Sequence, residues 1–269
     1  PLSPTAPRLN PSPLITGFNR VAVADRGIVQ QNQQWGADHG LEIDQYDVDN
    51  VRVYKGPMSL HYGSDAMGGV IEILPPRLPR QEGVRGDLTL TGKSNNDLTG
   101  TSVAVSSKQG RWYLRGRATL QRYGDYRVPA DTVTYLTRKL PLHDRRMKNT
   151  AGREQNLSLS ANYGGDRLDS WLHASYVFGK NGFFPGASPG CAPIRLVPDG
   201  SVRNLEMPLS SSGHLKVISN HRIKLKGATL LADLGMQQNR RSERSPFHTH
   251  YGNQQPPATD PDLELHFLL

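Results

Sequence analysis

The spacing of apolar residues changes partway along the chain. Beyond Val84 they recur at every second position. In "RWYLRGRATLQR", Trp112, Leu114, Gly116, Ala118 and Leu120 share one face, while Arg111, Tyr113, Arg115, Arg117, Thr119 and Gln121 share the other. "QNLSLSANY" sets Leu157, Leu159, Ala161 and Tyr163 against Asn156, Ser158, Ser160 and Asn162. "GATLLADLGMQ" repeats the scheme with Ala228, Leu230, Ala232, Leu234 and Met236. A period of two over about nine to twelve residues predicts β-strands with unlike faces. Weaker alternation marks 86–92, 99–107, 168–178, 213–221 and 263–269, for about eight strands in all.

Before Val84 the pattern is mixed. Residues 1–16 are proline-rich and read as extended. "NRVAVADRGIV" reads as a strand through Val21 and Val23 that ends in a turn at Asp25–Gly27. "QQNQQWGADHGLEID" has no clear period and reads as a loop, with or without a short helical turn. "VRVYKGPMSLHYGSDAMGGVIEIL" (51–74) then gives a strand, a helical turn or two over "PMSLHY", and a second strand. Pro57 suits a first helical position and Gly63 the residue just past a helix end. A phosphate-cradling loop would need Gly-Lys-Ser/Thr after its glycines. Here Gly63, Gly68 and Gly69 are followed by Val70 and Ile71, so that reading fails. "PPRLPRQEG" reads as a linker. The expected organisation is a small α/β unit over 1–75, a linker over 76–85 and an antiparallel sheet over 86–269.

The lengths of the connections decide what kind of sheet this is. Residues 108–110, 164–166 and about 221–227 are short breaks, whereas 123–153, 179–211 and 239–261 are long and rich in Pro, Gly, Asn and Arg. Short turns at one end and long loops at the other is the outer-membrane barrel pattern. A soluble sandwich has no reason to gather every long loop at one end. In a barrel, Trp112, Leu114, Leu120, Leu157, Leu159, Leu230 and Leu234 face lipid, and Arg115, Arg117, Ser158 and Asp233 face inward. A closed eight-stranded barrel is filled by its own side chains. The α/β unit therefore lies outside such a barrel, or the barrel is larger and this chain supplies its first part.

Composition narrows the classes. Only 36% of residues are apolar and the mean hydropathy is −0.56, with no apolar run of the roughly eighteen residues that a membrane helix needs. Barrel strands leave too weak a hydropathy trace for that to exclude a membrane. The net charge of +8 is scattered through the strands and not gathered in one patch with aromatics, which argues against nucleic-acid binding. The single Cys191 allows no intramolecular disulfide. The chain opens on "PLSPTAPRLNPSP" without an initiator Met or a signal segment, as expected of a processed chain or an internal piece of a longer protein.

These residues resemble the plug of TonB-dependent outer-membrane receptors. "VRVYKGPMSLHYGSDAMGGVIEIL" is similar to the family signature in which a strand ends in Lys/Arg-Gly-Pro, a short helix ends in Tyr-Gly-Ser, and Gly-Gly-Val-Ile opens the last plug strand. "GFNRVAVADRGI" resembles the plug's Gly-Asn-Arg-Val strand, with Arg26 inserted before the glycine of its turn. The match covers about 11–75; beyond 85 the resemblance is one of pattern. It implies a plug inside a transmembrane β-barrel of about 22 strands, of which about eight are counted here. It also implies a cell outer membrane of a Gram-negative bacterium, outer-membrane lipid around the wall, and a TonB complex acting through a segment that is absent here. The ligand it implies is a small molecule or metal complex. On this resemblance Gly56, Pro57, Tyr62, Gly63, Gly68 and Gly69 shape the plug and bind nothing, and Arg52 and Lys55 face wall carboxylates or solvent.

In the family, outward plug loops and extracellular loops carry the substrate. Here that points to Gln33, Gln34, Trp35, Asp38, His39, Glu42 and Asp44, with Trp35 either a stacking surface or a packing residue against the wall. Asp38, His39 and Glu42 are of metal-ligating type, and His248 and His250 share a side if "FHTHYGNQQ" is extended. Close sequence spacing alone does not make a metal site, and loop histidines are usually solvated. Phe183 and Phe184 suit an interface girdle better than an apolar ligand. No nucleophile–base set, paired carboxylates or HExxH occurs, so no catalytic residue and no cofactor is expected. An uptake receptor is the leading expectation, and a non-transporting surface-binding or adhesin barrel with a plug-like unit is the alternative.

Overall fold

The computed structural model describes residues 21–30, 42–135, 138–184, 196–198, 200–246 and 262–268. The first unit is a four-stranded sheet of β1 (Val21–Asp25), β2 (Ile28–Val29), β3 (Asn50–Lys55) and β4 (Gly69–Leu74), in the order β2-β1-β4-β3. β1 runs parallel to β4, and β3 runs antiparallel to it. Alternation explains how both faces are covered. Val21, Val23, Ile71 and Ile73 pack with Ile43 and Val48 on one side. Ala22, Ala24, Ala66 and Val70 pack with Tyr54, Met58 and Tyr62 on the other. Strands buried on both faces read as near-continuous apolar runs, as "VAVA" and "GVIEIL" do. The β1–β2 turn places Arg26 and Gly27 at φ 49 and 84, the paired positive angles of a two-residue hairpin turn.

The second unit is an eight-stranded antiparallel sheet. In chain order its strands are β5 (Gly83–Lys93), β6 (Leu98–Gln109), β7 (Trp112–Tyr123), β10 (Gly152–Gly164), β11 (Leu168–Gly182), β12 (Leu209–Leu225), β13 (Ala228–Pro246) and β14 (Asp262–Leu268). Each pairs with the next, leaving β5 and β14 at the edges. A separate hairpin of β8 (Thr132–Tyr135) and β9 (Arg138–Pro141) stands in the loop between β7 and β10. The turns at 110–111, 165–167 and 226–227 lie at one end; at the other β7, β11 and β13 end and β10, β12 and β14 begin, so the longer connections leave from there. This is the expected arrangement, with one addition: the connection at 94–97 is short yet lies at the long-loop end.

Several strands outrun their apolar alternation. β12 has 17 residues and β13 has 19, so 239–246, expected in a loop, continues the strand, with Asn239–Arg244 opposite Leu209–His214. β5 likewise starts inside the expected linker. Apolar alternation marks only the stretch that needs an apolar face. Above it "QQNRRSERSP" pairs through its backbone and carries no such mark.

Side chains sort by face. Trp112, Leu114, Leu120, Leu157, Leu159, Leu230 and Leu234 are all more than half exposed or close to it, on the face turned away from the first unit. Arg115, Arg117, Thr119, Gln121, Asn156, Ser158 and His173 are buried on the face toward it. From Trp112 to Leu120 the apolar band covers eight residue steps, about 26 Å along the strand at ~3.3 Å each. At a tilt near 40° that is about 20 Å of depth, close to the ~25 Å band of membrane barrels. Trp112 and Tyr163 pack at a tilt of 56° with ring centroids 5.0 Å apart at the short-turn border of this band, the level of an aromatic girdle.

Candidate functional site

The 51–74 segment folds as a strand, one helical turn (Ser59–Tyr62), a 3-10 turn (Ser64–Ala66) and β4. Pro57 lies two residues ahead of the helical turn and not at its first position, because Met58 O accepts the closing bond from Tyr62 N. Gly56, Gly63 and Gly69 have φ of 95, 88 and 149, where a side chain is strained. Gly68 lacks a positive φ; its carbonyl accepts from Gly56 N at 3.2 Å, closing the base of the excursion. Tyr62 packs on Tyr54 with ring centroids 6.3 Å apart. Arg52 lies 2.9 Å from Tyr54 Oη and 3.5 Å from Glu72, a contact within its own sheet and not with the wall. Lys55 is exposed.

The chemistry gathers where the first unit meets the inner face of the long sheet. Its carboxylates meet cations of the wall. Arg115 donates to Asp47 Oδ1 at 2.8 Å and lies 3.7 Å from Asp49, with Arg117 Nε 3.8 Å from Asp47. Asp25 is held by Arg26 at 2.7 Å and by the Lys216 ammonium, and all three side chains are at most 5% exposed. Lys216 also donates to Gln30 Oε1 at 3.0 Å, and Gln30 Nε2 lies 3.1 Å from His214 Nε2. Thr119 donates to Asp44 Oδ2 at 2.7 Å, and Ser212 to Glu42 Oε1 at 2.9 Å. Wall amides reach the first unit's backbone: Asn220 donates to Arg26 O at 2.9 Å, and Gln237 to Val29 O at 2.8 Å.

Burial acts differently on these acids. For Asp47 it is the largest influence and lifts the carboxyl above its ordinary value despite Arg115. Asp44 is raised for the same reason, against bonds from Thr119 and Tyr46 N. Asp25 is also pushed up by burial, but Lys216 and Arg26 together outweigh that and hold it below its ordinary value. A cavity of about 20 Å³ lies among Asp25, Arg26, Asp44, Asp47, His173 and Lys216. That is space for about one water and not for a substrate.

At the long-loop end the connections are stapled into one canopy. Asp125 Oδ1 accepts from Thr150 N and Ala151 N at 2.8 and 3.1 Å. Arg146 pairs with Asp97 at 2.8 Å, and Arg203 donates to Asp97 O at 2.7 Å. Asn149 Nδ2 faces the carbonyls of Phe183, Glu206 and Pro208 within 2.9 Å, and Lys148 pairs with Glu206 at 3.1 Å.

Of the expected ligand residues, Glu42 is buried in the seam with Ser212 as a partner. Gln33, Gln34, Trp35, Asp38, His39, His248 and His250 lie outside the described residues, as does Cys191. Among the described residues no group of three His, Cys, Asp or Glu is placed to hold a metal ion. The seam pairing was missed from sequence. Its signal was the acidic run "DQYDVD" facing a stripe of Arg115 and Arg117.

Comparison with known proteins agrees with this architecture. Residues 3–70 match the family model of the TonB-dependent Receptor Plug Domain. The fold matches a variant of the ferric enterobactin receptor PfeA from Pseudomonas aeruginosa, with a TM-score of 0.60 and 13% identity over 84% of this chain and 34% of that one. It matches the ferric yersiniabactin uptake receptor FyuA from Yersinia pestis at 0.56 and 19%, over 86% and 34%. It matches the siderophore receptor PirA from Acinetobacter baumannii at 0.61 and 12%, over 93% and 36%. The fold is thus a small α/β plug followed by antiparallel strands of a partial barrel. The chain resembles a TonB-dependent receptor and spans about a third of the length of the solved chains it matches.

Proposed function

We propose that this chain is part of an energised uptake receptor in the outer membrane of a Gram-negative bacterium, with 1–75 as plug, 76–85 as linker and 86–269 as the first part of the barrel. Its cargo is a scarce metal complex, an iron–siderophore in the first instance, with haem or cobalamin in the same class. The observation that carries the reading is a plug sheet clamped by buried ion pairs to the polar face of a sheet whose other face is apolar. A buried pair costs several kcal/mol of desolvation per ion and recovers it only while its geometry is kept. Once a pull on the plug lets water into the seam, both ions regain hydration. Such a seam fixes register without locking the plug permanently. The TonB complex supplies the pull, and the plug loop with Gln33, Gln34, Trp35, Asp38 and His39 faces the ligand together with the loop bearing His248 and His250. An adhesin barrel that keeps a plug for structural reasons is the second reading.

The test is uptake of radiolabelled iron–siderophore complexes by cells making the full-length protein, with and without a functional TonB complex. Accumulation that requires the complex supports transport. Surface binding that never becomes energised uptake refutes it in favour of the adhesin.

A further inference from the structure

The outer face of the wall carries a row of cations at one border of its apolar band. Arg153 on β10 stands directly opposite Arg122 on β7 and opposite Lys180 on β11. Thr99 continues the row on one side and Ser211 on the other. By the alternation of their strands, all three cations point away from the plug, in phase with Leu120, Leu157 and Tyr176. Neighbouring strands are about 4.8 Å apart, so three charges span roughly 10 Å. Arg240 lies on the same face one strand past Ser211, opposite Gly213.

Two features separate this row from an ordinary solvated edge. Like charges directly opposite one another on a sheet are destabilising, and here two such pairs are adjacent. Among the described residues no carboxylate faces Arg122, Arg153 or Lys180. The opposite border is built otherwise: the exposed Arg111 is paired with Asp166 at 2.7 Å, beside the tilted Trp112–Tyr163 ring pair. The directly opposed cations of neighbouring strands lie on the long-loop side, which in membrane barrels is the extracellular one. Two residues below the row, Leu120 begins the apolar band.

We propose that Arg122, Arg153 and Lys180 form a site for the phosphate groups of an outer-leaflet lipid, whose acyl chains lie along Leu120, Leu157 and Leu159. Guanidinium forks suit phosphate oxygens bidentately, and the bound anion relieves the repulsion along the row. The inference rests on the outer-membrane reading but not on transport.

The test uses the full-length protein extracted from outer membranes in mild detergent, with bisphosphorylated lipid A as probe. A cation beside an anionic lipid surface contributes about fivefold in affinity. The combined variant Arg122→Gln, Arg153→Gln and Lys180→Gln should then bind on the order of 100-fold more weakly, and Arg153→Gln alone about fivefold. Arg111→Gln should leave binding unchanged. Lipid A stripped of its phosphates should bind the native protein as weakly as the combined variant binds the intact lipid. Unchanged affinity in both the combined and the single variant overturns the proposal. So does displacement by millimolar inorganic phosphate, which would make the row a soluble-anion site. A protein that never reaches the outer membrane refutes the membrane reading and this site together. Energised uptake that survives the combined variant leaves transport standing whichever way the lipid result falls.

Discussion

Asp25 is the carboxylate on which the β1 end of the seam depends. It stands between two buried cations, Arg26 at 2.7 Å and Lys216, with side chains at most 5% exposed. Asp25→Asn keeps the shape and removes the charge, leaving two cations that both touched that carboxylate; unit charges in such contact are taken as roughly 5 Å apart. At an effective dielectric near 20 their repulsion is about 3 kcal/mol, within the ~3–5 kcal/mol seen when one partner of a buried pair is removed. Lys216→Met is milder, because Asp25 keeps Arg26. It loses the charge-assisted hydrogen bond to Asp25, about 1.5–3 kcal/mol, and with it the bond to Gln30 Oε1. The double variant should cost less than Asp25→Asn alone, since the second cation has gone with the carboxylate. Hydrogen exchange of the β1 amides, in full-length protein held in detergent, reads these differences. Asp25→Asn should speed exchange by roughly 100-fold or more, and Lys216→Met by roughly 10- to 100-fold. Equal effects of the two single changes, or a double variant as costly as their sum, would refute the charge-balance reasoning.

Three further outcomes are expected. Leu114→Arg should stop membrane assembly, at about 2–4 kcal/mol for a cation on the lipid face; Arg115→Leu should assemble normally yet loosen the plug, read as faster proteolysis near Asp47. Acidification should act in two stages. Asp44 and Asp47, raised by burial, bind protons more readily in the fold than in the unfolded chain, so they add stability as pH falls toward their ordinary 3.8, while the contribution of Asp25, held low, is lost only below that value. Plug protection should therefore hold or rise as pH falls from 7 toward 3.8 and collapse below it, and a steady decline from neutrality would contradict this. Gly63→Ala, at φ 88 with nothing within 4 Å of an added Cβ, should cost about 1–3 kcal/mol of thermal stability through backbone strain alone.

Much of the wall could be read from sequence because lipid imposes a rule on every second residue. Leu157 against Ser158, or Leu114 against Arg115, states its own orientation without knowledge of any partner. The limits of β12 and β13 were less legible, since above the apolar band neither face needs an apolar residue and "NRRSER" shows no apolar alternation. The plug motif was legible through glycines whose φ has no substitute, at Gly56 and Gly63. The seam was not. Asp25 and Lys216 are 191 positions apart, and nothing local to either tells that they meet. Neither did sequence foretell the canopy, where Asn149 binds three carbonyls from another loop.

The central claim is that one sheet separates lipid from plug, and accessibility along β10 tests it most directly. Nitroxide labels placed singly at 156–160 in the full-length protein, in outer-membrane vesicles, would be scored by collision with oxygen and with a water-soluble nickel chelate. Positions 157 and 159 should be open to oxygen and closed to nickel, while 156, 158 and 160 should be shielded from both by the plug. Nickel access at 157 and 159 equal to that of a loop label would mean that this face meets water, and the membrane account would fall.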